Sequence, residues 1–125
     1  MLYTSTYNYN GEYKRLDITA ASKDPIGKIF APTWDLVLSY KRNEITKEKY
    51  EDEYKYIINK QFINNRKIFD YVANIIFKNN IVFVCYCKPY DFCHRILLKD
   101  RFINSERYKN IYTSQLQYGG EISIL

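Results

Sequence analysis

Three thiols, one imidazole and one guanidinium crowd into a single short stretch: Cys85, Cys87, Cys93, His94 and Arg95. An ionised thiol is a nucleophile, and an imidazole near neutral pH acts as general base, general acid or neutral hydrogen-bond donor. A guanidinium forks onto phosphate or carboxylate. Those side-chain types make Cys93 and His94 the candidate catalytic residues and Arg95 the candidate anion binder, with Cys85 and Cys87 beside the ligand. Neighbours on a helix point about 100° apart, so adjacency alone does not make Cys93 and His94 a nucleophile and base pair. Packing of the thiols in a strand and a helix is the blander alternative.

The same side chains offer four donors of the kind zinc prefers. Their spacing argues against it, because paired zinc cysteines have about two to four residues between them and Cys85 and Cys87 have Tyr86 alone. No metal and no cofactor is therefore expected. Other chemistries leave no pattern: there is no phosphate-binding loop ending in Lys-Ser or Lys-Thr, no dinucleotide glycine fingerprint and no Gly-x-Ser-x-Gly elbow. The phosphatase loop is missed too, since the position after the five residues that follow Cys87 holds Cys93 and the arginine is two further on.

The elements that must position this cluster follow from patterning. Ile81-Val82-Phe83-Val84-Cys85-Tyr86 is apolar without alternation, the mark of a strand covered on both faces at the centre of a sheet. A loop, Lys88-Pro89-Tyr90-Asp91, leads to a helix over Phe92–Ile103 with Asp91 as its cap. Cys93 then sits in the first turn, where the dipole and Arg95 favour thiolate. This corner lies at the carboxyl edge of the strand, where open α/β sheets bind ligands.

Before it, Leu2–Tyr7 and Tyr13–Thr19 read as strands, followed by a Pro- and Gly-containing loop over Ala20–Pro32. Thr33 caps a helix ending near Arg42 or Asn43, with Trp34, Val37, Leu38 and Lys41 on one face. Thr46 caps a second, where Ile45 and Tyr50 have staple spacing and Tyr50, Tyr54, Ile57, Ile58 and Gln61 form a stripe. A third begins at Asn64 or Asn65 and carries Ile68, Phe69, Val72, Ile75 and Ile76. Ile111-Tyr112 and Ile122–Leu125 read as short strands around a Gly119-Gly120 turn. The expectation is an α/β fold: a single three-layer domain over residues 1–125, with a small, mostly parallel sheet and flanking helices.

At 125 residues and 46% hydrophobic content the chain holds one core. Its net charge of +5 and pI near 9.0 favour anionic partners: nucleotides, nucleic acid or phosphorylated metabolites. Fourteen tyrosines suit stacking on bases, although Lys, Asn, Ile and Tyr are all AT-rich in their codons and genome composition accounts for most of the excess. No segment reaches the roughly 18 apolar residues of a membrane span, and no secretory signal opens the chain. An odd number of cysteines without a signal argues for reduced thiols and a cytoplasmic protein.

The run Val82-Phe83-Val84-Cys85-Tyr86-Cys87-Lys88-Pro89-Tyr90-Asp91-Phe92-Cys93-His94-Arg95 resembles the signature of the domain of unknown function 488 (DUF488) family, a hydrophobic strand, a cysteine, a loop and Cys-His-Arg opening a helix. Tyr3-Thr4-Ser5, the Trp34–Tyr40 segment, and Glu44-Ile45-Thr46 with Tyr50 and Tyr54 resemble short members, phage-encoded ones included. The resemblance implies an α/β fold and a site at Cys-His-Arg. Many relatives carry an acidic residue at the position of Cys87, so a mechanism needing that carboxylate lacks it here.

The leading function is binding and processing of a nucleotide-like or other phosphorylated small molecule. Arg95 and the helix amides would hold its anionic group, and Tyr3, Thr4, Ser5 and the loop to Trp34 would close the pocket. The alternative is a binder without turnover that sequesters a nucleotide immune signal, a phage anti-defence protein. Nucleic-acid binding ranks last: Lys47, Lys49, Lys55 and Lys60 alternate with Glu48, Glu51, Asp52 and Glu53 as on an ordinary solvated helix face. Catalysis, assembly into a homo-oligomer and the ligand's identity stay open at this stage.

Overall fold

The structure, a computed structural model, describes residues 1–86 and 93–124. In chain order the elements are β1 (Leu2–Thr6), β2 (Lys14–Asp17), a 3-10 turn at Gly27–Phe30, α1 (Trp34–Lys41), α2 (Lys47–Asn64), α3 (Arg66–Lys78), β3 (Ile81–Cys85), α4 (His94–Ile103), α5 (Glu106–Tyr112) and β4 (Tyr118–Ile122). The Cys87 assignment and the Asp91 cap lie outside the described residues.

Every residue of β3 is buried, as its unbroken apolar run requires of a central strand. It pairs in parallel with β1, from Leu2 opposite Ile81 to Thr6 opposite Cys85, and with β2, from Lys14 opposite Ile81 to Asp17 opposite Val84. With β4 on the far side of β1, the order is β2-β3-β1-β4 and all four strands run parallel. Their carboxyl ends therefore share one edge.

The alternation of side chains along β3 divides the core. Ile81, Phe83 and Cys85 join Leu2 and Leu16 beneath the helices, where Tyr54, Phe69, Val72, Ile76, Leu98 and Phe102 pack on them. Val82 and Val84 point to the other face and meet buried Tyr9, with Tyr3, Tyr7 and Ile122 around them. That covering comes from the connection between β1 and β2. These strands are parallel and separated by β3, so residues 7–13 must return across the sheet, and Tyr9 fills the crossing. The second face is thus covered by a tyrosine-bearing loop.

Caps set the helix starts as expected. Thr33 Oγ1 accepts from Leu36 N at 3.2 Å, and Thr46 Oγ1 accepts from Lys49 N at 3.1 Å. The α2 stripe buries Tyr50, Tyr54 and Ile58, and the α3 stripe buries Phe69, Val72, Ala73 and Ile76. The last third differs from expectation. Ile111 and Tyr112 end α5, which Ser105 caps by accepting from Tyr108 N at 3.3 Å, carrying Tyr108 into the core. Gly119-Gly120 does not turn the chain but lies inside β4. The pairing jumps there, with Leu2 opposite Tyr118 and Tyr3 opposite Gly120, so Gly119 is the extra residue of a bulge. A Cβ on Gly119 would come within 2.2 Å of the Tyr3 ring. Among the described residues no helix is long and apolar enough to cross a membrane.

Candidate functional site

The site forms where β3 ends at Cys85 and α4 begins at His94, on the carboxyl edge of the sheet. Cys93 is not in the first turn of a helix opened by Asp91 or Phe92; it is the N-cap residue of α4, with extended backbone at φ −154° and ψ 156°. The divergence of about 100° between helical neighbours applies only when both are helical. The extended cap removes it, and Cys93 Sγ lies 3.4 Å from His94 Nδ1.

The partners of the imidazole assign its protons. Nε2 is 2.8 Å from the Ile18 carbonyl oxygen, which can only accept, so Nε2 carries the hydrogen and Nδ1 keeps its lone pair. Ile18 directly follows β2 and is held by its own N–H donating to the Val84 carbonyl at 3.2 Å. Nδ1 faces Cys93 Sγ and, at 3.5 Å, the Tyr50 hydroxyl. Burial is the largest influence on the ring and pulls its pKa below the ordinary histidine value, although Cys85 and the Ile18 carbonyl act the other way. The ring is therefore neutral and turns its unprotonated Nδ1 toward the Cys93 thiol.

Behind Cys93, its Sγ lies 2.7 Å from Cys85 Sγ, and Arg95 Nη1 donates to Cys85 Sγ at 3.0 Å. Arg95 is fully buried. Its Nε donates to Glu121 Oε1 at 3.1 Å and its Nη2 to Glu121 Oε2 at 2.6 Å, a two-point fork onto β4. Burial works against the guanidinium charge, but Glu121 and Cys85 outweigh it and the pKa rises. The fork expected to grip a ligand's anion is closed by a carboxylate of the same chain. Arg95 acts on Cys85 and on β4.

Cys93 and His94 form the floor of an open cleft of about 110 Å³, with Thr19 and Ala20 at the end of β2 beside them. The α1 face made of Trp34, Val37 and Lys41 forms one wall, while Leu36 is the residue α1 buries in the core. Tyr40, Tyr50 and Tyr86 add aromatic surface. Trp34 is 52% exposed, which suits a wall rather than a core residue. Thr19 is 2% exposed, and its hydroxyl has no hydrogen-bond partner among the described residues.

Three expected ligand residues lie elsewhere. Tyr3 stacks on Tyr13, with ring centroids 5.0 Å apart, on the loop-covered face of the sheet. Thr4 Oγ1 pairs with the Tyr118 hydroxyl at 2.6 Å, and Ser5 Oγ donates to the Ile122 carbonyl at 2.7 Å. Both tie β1 to β4. Conversely, Thr19, Tyr40, Tyr50 and Glu121 enter the site without having been singled out for it. Tyr50 carried a signal in its staple position, and Lys41 in sharing a helix face with Trp34. Glu121 carried none.

Cys85, Cys93 and His94 also form a buried group with donor atoms all within 4.8 Å of one another, which could take up a soft metal ion through two sulfurs and Nδ1. The sulfurs are closer together than the roughly 3.7 Å that two thiolates keep on one tetrahedral zinc with Zn–S bonds of about 2.3 Å. Holding a metal would require them to move apart.

No curated protein and no solved structure matches the chain. The family model DUF488-N3a, described as the active DUF488-N3 subclade, matches residues 5–107. That stretch runs from β1 into α5 and carries Cys85, Cys93, His94 and Arg95. The chain belongs to the DUF488 family.

Proposed function

We propose that the protein binds and processes a nucleotide-like or other phosphorylated small molecule in the Trp34–His94 cleft, with Cys93 as nucleophile and His94 as its base. The observation that carries this reading is the contact of Cys93 Sγ with the unprotonated Nδ1 of a neutral histidine on the floor of a cleft. In the first step the thiol proton passes to Nδ1 while sulfur attacks an electrophilic centre of the substrate. The imidazolium then returns that proton to the leaving group. Burial makes the charged ring short-lived, which favours the return.

The walls support the substrate class. Trp34, Tyr40 and Tyr86 offer stacking surface to a planar base, and Lys41 supplies a point charge for a phosphate. The open Thr19 hydroxyl would take a polar edge. The anion contact expected of Arg95 is assigned to Lys41. Turnover, rather than storage, agrees with the description of the subclade as active.

The test is to incubate the purified chain with purine and pyrimidine mono-, di- and triphosphates and cyclic nucleotides, then denature it and separate the small molecules. The expected result is conversion of one class, with Cys93→Ala retaining binding and losing turnover by about a hundredfold or more. Full turnover by Cys93→Ala would remove the nucleophile role. A bound nucleotide recovered intact would instead make the protein a sequestering binder, as an anti-defence protein would be. Oligonucleotide binding with steep salt dependence and no small-molecule binding would sink the reading in favour of nucleic acid.

A further inference from the structure

We infer that Cys85 and Cys93 form a dithiol–disulfide couple, Cys93 attacking from the cleft floor and Cys85 resolving from behind, which lets this site reduce a small disulfide. The inference rests on the nucleophilic Cys93 of the preceding reading but needs no nucleotide. Three observations meet at the pair.

Distance comes first. The two sulfurs are 2.7 Å apart with both cysteines reduced, and a disulfide bond is about 2.05 Å, so bond formation needs a movement of under an ångström. Their backbones are held by a central strand and by a helix cap, which keeps them in register. Exposure is the second. Both sulfurs are buried, Cys93 at 1% and Cys85 at 0% exposed, but of the two only Cys93 lines the cleft, so Cys93 lies on the side from which a disulfide would approach and Cys85 lies behind it.

Each sulfur has its own activating group. His94 Nδ1 takes the proton of Cys93, and Arg95 Nη1 donates to Cys85 Sγ, stabilising sulfur in its thiolate form for the second attack.

The steps balance. Cys93 thiolate attacks one sulfur of the substrate disulfide, whose S–S bond breaks; the released thiolate takes the proton from His94 and leaves as a thiol. Cys93 now carries a mixed disulfide. Cys85 passes its proton to His94 Nδ1, left unprotonated by the first step and in the same group of atoms within 4.8 Å of one another; its thiolate attacks Cys93 Sγ, the Cys85–Cys93 bond forms, the Cys93–substrate bond breaks, and the second substrate thiolate leaves with that proton. Two protein thiols are oxidised by two electrons in all, and the substrate disulfide is reduced by two. An external dithiol such as dithiothreitol restores the pair.

The experiment uses the full chain, reduced and then exposed to oxidised glutathione, quenched with acid and N-ethylmaleimide, and peptide-mapped by mass spectrometry. Wild type and Cys87→Ser should both yield a linked Cys85–Cys93 peptide and only a transient glutathione adduct. Cys85→Ser should accumulate glutathione on Cys93, with an adduct lasting at least about tenfold longer. Because the wild-type map alone reports the linkage, the result does not depend on a variant folding.

A link from Cys93 to Cys87, or a wild-type adduct as long-lived as that of Cys85→Ser, would overturn the couple. So would a chelatable metal ion joining both sulfurs in the freshly purified chain. If Cys93 reacts with iodoacetamide but never links to Cys85, only the couple fails. If Cys93 reacts with neither reagent, the nucleophile fails with it.

Discussion

The proposed chemistry turns on His94, because its two nitrogens have different partners, the Ile18 carbonyl and the Cys93 thiol. His94→Gln separates them: a glutamine amide can still donate to the Ile18 carbonyl in place of Nε2–H, but it offers no base where Nδ1 stood. Alkylation of Cys93 by iodoacetamide near neutral pH should slow by about tenfold or more, with little change in the fold. An unchanged rate would mean that Nδ1 does not activate the thiol. The same ring predicts an acid weakness. Burial lowers its folded pKa, so below the unfolded value of about 6.5 the unfolded chain takes up a proton that the folded chain refuses. Stability is therefore intact above that pH, falls as pH drops through it, and levels off beneath the folded pKa. Urea midpoints of wild type measured downward from neutral pH should show this slope, and those of His94→Gln should lack it; equal slopes would assign the loss to other groups. The side-chain types of this site were legible in the sequence, and the pairing was not. It depended on the helix starting at His94, which turned Cys93 from a first-turn residue into an extended cap.

At the scale of elements, the position of His94 is set by a tight fit far from it in sequence. The 3-10 turn at Gly27–Phe30 presses on the end of β2, and a Cβ on Gly27 would lie 2.0 Å from the Asp17 carbonyl oxygen. Backbone cannot yield as a side-chain tip does, so Gly27→Ala must push the segment from Asp17 to Ala20 away from the turn. That segment contains the Ile18 carbonyl holding His94 and the Thr19 and Ala20 edge of the cleft. The substitution should cost about 1–3 kcal/mol in urea unfolding and also lower Cys93 reactivity. Loss of stability with reactivity fully kept would show that the turn does not position the base. Sequence patterning found the caps at Thr33 and Thr46 and the stripes of α2 and α3, since those depend on neighbours within a turn or two. It missed α5, whose Ile111-Tyr112 has strand-like residue types, and it misread Gly119-Gly120, because a bulge is defined by the strand opposite, here at Tyr3.

Across the whole molecule, one contact ties the corner that carries the chemistry to the last strand. The family match ends at residue 107, before β4, yet the carboxylate that receives the Arg95 fork is Glu121 on that strand. Local patterning could show neither that β4 lies beside β1 nor that a fork suited to a ligand would be satisfied internally. The side chains of the pair are 0% and 9% exposed, so little water is available to either charge if the other is lost. Glu121→Gln replaces a carboxylate with an amide and takes away the counter-charge that β4 gives the buried guanidinium, which should cost about 3–5 kcal/mol. Replacing both partners with apolar side chains of similar size, Arg95→Met with Glu121→Leu, removes the stranded charge and should recover most of that loss. The double variant should still fail to resolve a glutathione adduct on Cys93, because Arg95 is also the donor to Cys85 Sγ. Urea unfolding and the adduct lifetime together decide the matter. A Glu121→Gln chain within about 0.5 kcal/mol of wild type would show that the fork is not needed to hold β4, while a double variant that resolves the adduct normally would confine Arg95 to a structural role.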